Sequence, residues 1–253
     1  MTAIRQQLLF AAGLMVVPAV LFGAEADTDP GRQTQPHEIV KRITFENGSG
    51  GVLPSFTDYS LETSGFDFLA EIRSLPAEVR VPSRNRRAYY LEGNNHSDDL
   101  FMYWKVPVLN ADGLVANQAY RLSFDIELAS RSTDCVGVGG SEDAVYLKAG
   151  GSTLEPVPLL LNNEFVSISI DKGNQSTGGT ALGVIGSIWN GKPCGDSQWI
   201  LLHRTYNHPY PVVASSNQSM AQIWVAVGTD SAFEAVTGVY YYSITARLTP
   251  VTH

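Results

Sequence analysis

Cysteine is scarce in this chain: 253 residues contain two, Cys135 and Cys194. Neither sits in a C-x-x-C pair, which removes thioredoxin-like redox chemistry and zinc ribbons. Apolar stripes at helical period are missing too, so a helix bundle is not expected. Positive charge is low. Lys and Arg number 17 against 25 Asp and Glu, a formal net charge of −8. With no basic stripe, nucleic acid is not an expected partner. The acidity gives solubility and names no partner. There is no G-x-S-x-G elbow, no P-loop and no dinucleotide fingerprint. No internal repeat of solenoid length is present.

Long apolar runs are absent with one exception, residues 8–22, broken by Pro18. At about 15 residues it is shorter than the roughly 20 that a membrane-spanning helix needs. Arg5 precedes it, and Gly23, Ala24 and Ala26 follow. This is the grammar of a secretory signal peptide, expected over 1–26, with no transmembrane segment after its removal. No cysteine follows to accept a lipid anchor. The expected location is secreted or periplasmic. In that compartment Cys135 and Cys194 are expected to form a disulfide. Residues 27–38 are polar and aperiodic and read as a disordered leader.

What remains, 39–250, is expected to form one domain. It repeats a single theme of short β-rich runs separated by Gly, Asn, Asp, Ser and Pro. IVKRITFE (39–46) alternates. AYYLEG (88–93) and FMYWKVPV (101–108) flank a polar loop. AYRLSFDIELA (119–129) places Tyr120, Leu122, Phe124, Ile126 and Leu128 on one face. Further runs are PVPLLL, FVSISID, WILLHRT, QIWVAVGT and VYYYSITARL. GFDFLAEIRSLP has room for one helical turn, and LLHRTYNHPYPV reads as an irregular aromatic loop. About ten strands predict an all-β fold, a two-sheet antiparallel jelly-roll β-sandwich. The first and last strands, around Ile43 and Ile244, are expected to pair. An outer-membrane β-barrel is the rival, but the mixed strand faces and polar loops argue against it.

ITFENGSGGVLPSFTDY resembles the opening of galactose-binding-like, carbohydrate-binding jelly-roll modules. LEGNNHSDDLFMYWK, CVGVGGSEDAVYLKAGGSTLEP, SIDKGNQSTGG and VGTDSAFEA resemble a family of secreted bacterial β-sandwich proteins. These resemblances imply the sandwich, export and a carbohydrate or other hydroxyl-rich ligand. They attach no catalytic activity. The carbohydrate-binding modules often hold a structural calcium with an aspartate after the last-strand tyrosines. Here VYYYSI has none at that place, which leaves Glu46 as a weak candidate ligand.

Four polar stretches carry candidate site residues. In GNNHSDDLFM, Asn94, Asn95, His96, Asp98 and Asp99 offer oxygens and one imidazole. They lack the spacing of a calcium loop and the ligand count for zinc. A self-bonded turn, a ligand-binding loop and a catalytic loop all remain open. In SEDAVYLKAGG, Tyr146 and Lys148 share one strand face. In IDKGNQSTGG, Asp171, Lys172, Asn174 and Gln175 crowd a loop of the kind that recognises hydroxyls. In GTDSAFEA, Asp230 and Glu234 could form a glycosidase pair if suitably spaced. The leading expectation is a non-catalytic module for polysaccharide or another hydroxyl-rich ligand, with no cofactor beyond a candidate structural calcium. The alternatives are a polysaccharide hydrolase or lyase using His96, Asp98, Lys148, Asp171, Asp230 and Glu234, and a structural protein of the cell envelope. An enzyme needs these side chains to meet in one cleft.

Overall fold

The computed structural model of the chain describes residues 37–96 and 99–252. Residues 1–26, expected to be a signal peptide, and most of the expected leader lie outside the described residues, as does Asp98. His37 and Glu38 are exposed and outside any strand. The chain runs through β1 (Ile39–Thr44), β2 (Leu53–Thr57), β3 (Tyr59–Ser60), β4 (Leu69–Ser74) and β5 (Arg87–Asn94). β6 (Leu100–Leu109), β7 (Ala119–Ser130) and β8 (Val145–Ser152) follow. Four short strands come next: β9 (Pro158–Leu161), β10 (Phe165–Ile168), β11 (Gly173–Asn174) and β12 (Thr177–Gly178). β13 (Leu182–Ser187), β14 (Ile200–Asn207), β15 (Val212–Val213), β16 (Gln222–Ser231) and β17 (Val236–Pro250) complete the order.

Two antiparallel sheets form the sandwich. One is seven-stranded, ordered β14-β7-β17-β5-β4, with β1 also on β17 and β15 also on β7. The other is five-stranded, ordered β13-β8-β16-β6-β2. The strands divide between separate sheets and do not close into a barrel. The terminal strands pair as the sequence predicts, with Ile43 opposite Ile244. Period-2 alternation explains β7, where Tyr120, Leu122, Phe124, Ile126 and Leu128 are buried and Arg121 and Asp125 are exposed. These side chains meet Trp104, Leu147 and Val225 of the second sheet in one apolar core. Each large buried side chain contributes roughly 1.5–3 kcal/mol relative to exposure.

β6 and β16 do not alternate in burial, because both of their faces are covered. One face carries Met102, Trp104, Val225 and Val227 into the sandwich core. The other carries Phe101, Tyr103 and Ala226, which pack with Ile168 and Leu182 in a second apolar cluster. A small third layer lies on this face: the three-stranded sheet β3-β10-β9 and the two-stranded β11-β12. Gly228 fits this crowded face, since a Cβ there would come within 2.5 Å of the Tyr103 Cβ.

Two local expectations are corrected. The segment 65–76 holds no helical turn but strand β4, whose Ala70 and Ile72 pack on the core. Arg73, next after Ile72, stacks on Tyr90 at 4.6 Å. The WILLHRT run is β14 as expected, but the strand continues through Tyr206 and Asn207, read above as loop, with Asn207 paired with Ser123. The irregular segment starts only at His208. Cys135 and Cys194 are joined, with Cα atoms 4.5 Å apart and a sequence separation of 59.

Candidate functional site

The third layer brings a set of charged side chains together on the covered face of the five-stranded sheet. Lys148 of β8 and Asp230 of β16 are both fully buried, with Nζ 2.7 Å from Oδ2. Lys172, from the loop before β11, places its Nζ 2.8 Å from the same Oδ2. It also lies 3.1 Å from Asp58 and 3.6 Å from Asp99. The Phe101 ring sits beneath its ammonium, 5.4 Å to the centroid. The Gln175 amide donates to Asp230 Oδ2 at 2.8 Å. Lys148 donates to the carbonyls of Lys172 and Thr177 at 2.8 and 3.0 Å, so its three N–H groups all have acceptors.

The two lysines respond differently to one environment. Burial lowers the Lys148 pKa, with Asp230 opposing and Lys172 adding repulsion. Burial also works against Lys172, but three carboxylates outweigh it and raise its pKa. Burial raises Asp58 despite Lys172. Asp99 is pushed up to about 7, first by burial, against Lys172, with the Asp230 and Asp58 carboxylates adding to the rise. The Oδ1 atoms of Asp99 and Asp230 are both buried and accept no hydrogen bond among the described residues. When Asp99 takes up a proton, the repulsion between it and Asp230 is eased.

One side of this cluster opens. A cleft of about 230 Å³ is lined by Asp58, Asp99, Phe165, Ser167, Asp171 and Asn174, among others. Asp171 is used up by its own loop: it accepts from the Gly173 and Thr180 amides and the Thr180 hydroxyl. Those bonds lower its pKa. They also fix the tight turn at Gly173, where φ is +70° and a Cβ would strike the Thr177 carbonyl at 2.2 Å. Asn174 is exposed and also lines the cleft.

The other candidates divide. Asn94 and His96 both bond the Gly65 carbonyl, at 3.2 and 3.0 Å. The buried Asn95 amide donates to the Ser231 and Phe233 carbonyls. The first half of the polar loop therefore works as a turn that pins neighbouring segments, and Asp99 is the one described residue of this loop that reaches the cluster. Tyr146 is half-buried opposite Asp230. Glu234 lies elsewhere, its backbone bridged to Val138. Asp230 and Glu234 are thus separated by environment: one is sealed in the ion network and the other half-exposed on a loop. Glu46 is exposed, and no group of three or more His, Cys, Asp or Glu among the described residues is placed to hold a metal.

Sequence reasoning missed Asp58 and Phe165. Asp58 sits at φ +62° between β2 and β3, a conformation Asp tolerates. Nothing in FTDYS distinguishes it from an ordinary turn. Its partner Lys172 is more than a hundred positions away, and pairing at that range leaves no local pattern.

No family model and no curated protein matches the sequence. Solved structures do. The chain is similar to the CBM22-1 xylan-binding domain of Paenibacillus barcinonensis Xyn10C, with 9% identity over 84% of this chain and 95% of that one, TM-score 0.34. It is also similar to the family 11 carbohydrate-binding module of Clostridium thermocellum Lic26A-Cel5E, with 10% identity over 85% and 96%, TM-score 0.33. A third is the enzymatically active domain of bacteriophage CBA120 tailspike protein 4, with 9% identity over 79% and 19%, TM-score 0.32. The described residues form an all-β, antiparallel two-sheet sandwich.

Proposed function

We propose that the protein is a secreted, non-catalytic module that binds carbohydrate, and that the cleft beside the buried ion network is its binding site. One observation carries this reading. The cleft joins an aromatic wall, Phe165, to polar groups of the right kind for hydroxyls: the Asn174 amide, the Ser167 hydroxyl and the Asp99 carboxyl. Sugar sites use this combination of a ring for the C–H face and convergent donors and acceptors for the hydroxyls. The charge network beneath supplies rigidity, holding the loop of Lys172 and Asn174 against the sheet. The disulfide and the apolar leader support export.

A hydrolytic reading draws on Asp99 at the cleft wall, whose carboxyl pKa is pushed up to about 7 by burial. Among the described residues the other carboxylates at the cleft are engaged. Asp230 is sealed and its Oδ2 engaged by Lys148, Lys172 and Gln175. Asp171 is spent on its loop. Affinity electrophoresis of the folded protein on soluble plant and bacterial polysaccharides tests the binding reading. Retardation on at least one neutral polysaccharide, reduced by Asn174→Ala and without release of reducing ends, is expected. A folded protein that runs freely in all of them overturns it.

A further inference from the structure

A second polar cavity, also of about 230 Å³, lies at the disulfide end of the sandwich. It shares no lining residue with the cleft described above. Its walls come from the end of β7, the segment around Glu142 and the start of β17.

Three features of its lining point to a ligand. Arg131 is exposed and stacks on the Trp199 ring at 5.3 Å, which fixes the guanidinium plane. Trp199 is itself held edge-on by Tyr240 at 4.9 Å, so the stack is anchored in the sheet. Among the described residues no acid pairs with Arg131, which leaves its planar set of donors available. Thr237 is 7% exposed and lines the cavity, which puts a threonine hydroxyl in its wall. Glu142 commits one oxygen, Oε2, to the Thr133 amide and hydroxyl at 2.7 Å each. Its Oε1 remains as an acceptor. Apolar atoms come from Ile188, Phe233 and Val236.

We infer that this cavity binds an acidic sugar residue, a uronic acid unit of an anionic polysaccharide. The sugar carboxylate pairs with the Arg131 fork, the geometry in which arginine exceeds lysine. The ring hydroxyls are met by Thr237 and by Glu142 Oε1, and the apolar lining covers a C–H face. The inference takes only the carbohydrate class from the preceding section. It concerns a separate site with its own residues.

Titration of the full chain with tri-galacturonate, followed by Trp fluorescence and calorimetry, tests it. Binding that weakens with added salt is expected, since the pairing is charged and open to solvent. Arg131→Ala should weaken it by about tenfold or more, and Arg131→Lys by less, because lysine keeps the charge but loses the fork. Thr237→Val should also weaken it, whereas Asn174→Ala should leave it unchanged. Unaltered affinity in a folded Arg131→Ala variant overturns the inference, as does no binding by the wild type. Loss in Asn174→Ala alone would assign uronate to the other cleft and overturn it equally. Failure here with neutral polysaccharides still bound leaves the cleft reading standing.

Discussion

Replacing Asp230 with asparagine removes one charge from the centre of the buried network while keeping its shape. Oδ2 of Asp230 meets Lys148 Nζ at 2.7 Å, Lys172 Nζ at 2.8 Å and the Gln175 amide at 2.8 Å. After Asp230→Asn, Lys148 retains two backbone carbonyls but no carboxylate within 4 Å, and its side chain is fully buried. Breaking a buried pair by removing one partner costs roughly 3–5 kcal/mol, because the remaining charge stays desolvated. That is a large part of a domain's stability of about 5–15 kcal/mol. At about 2–4 °C per kcal/mol for a chain of this size, the Tm should fall by on the order of 10 °C. Urea unfolding followed by circular dichroism measures the change, and an unchanged m-value certifies that the folded and unfolded states are comparable. Glu234→Gln serves as the control, since its side chain has no partner among the described residues, and its change should stay within about 0.5 kcal/mol. An Asp230→Asn variant as stable as that control would refute the idea that the network holds the third layer to the sheet.

Asp99 gives a pH signature. Its pKa of about 7 exceeds the unfolded value near 4. The folded state therefore holds a proton the unfolded chain has lost, and the stabilisation is complete below pH of about 4 and lost as pH rises through about 7. From pH 5 to pH 8 the wild type should lose more Tm than Asp99→Asn; parallel profiles would contradict this. Reducing the Cys135–Cys194 bond, which spans 59 residues, should cost up to about 4 kcal/mol. An unchanged midpoint in reductant would show that the loop closure contributes nothing. Gly228→Ala should cost about 1–3 kcal/mol by overpacking against Tyr103. A neutral outcome would mean that β6 and β16 yield more easily than their contacts imply.

The fold was legible where one face of a strand is wet. β7 follows from alternation, and the pairing of β1 with β17 follows from the expected jelly roll. The helical turn expected over 65–76 failed because Leu69 and Ala70 are adjacent and blur the two periods, and pairing with β5 decided the matter. The third layer was legible only as separate short runs. Nothing in PVPLLL or FVSISID states that they fold back over Phe101 and Tyr103. That long-range packing turns Lys148 from a surface lysine into a sealed ion. The candidate site was correspondingly half visible. Asp99, Lys148, Lys172 and Asp230 stood out as polar residues beside apolar runs, and the fold gathers them. Asn94, Asn95 and His96 stood out for the same reason but bond backbone carbonyls, as Asn and His in turns commonly do. Arg131 and Thr237 gave no signal, since each matters only through a cavity built by distant segments.

The central claim is that the cleft bordered by Asp99, Phe165 and Asn174 holds a sugar. Heteronuclear NMR of the full chain, titrated with oligomers of whichever neutral polysaccharide retards it, tests this most directly. The account predicts amide shifts concentrated at Asp99, Phe165 and the Lys172–Asn174 loop, abolished by Asn174→Ala. Saturable shifts confined to another surface, with these amides unmoved, would contradict it.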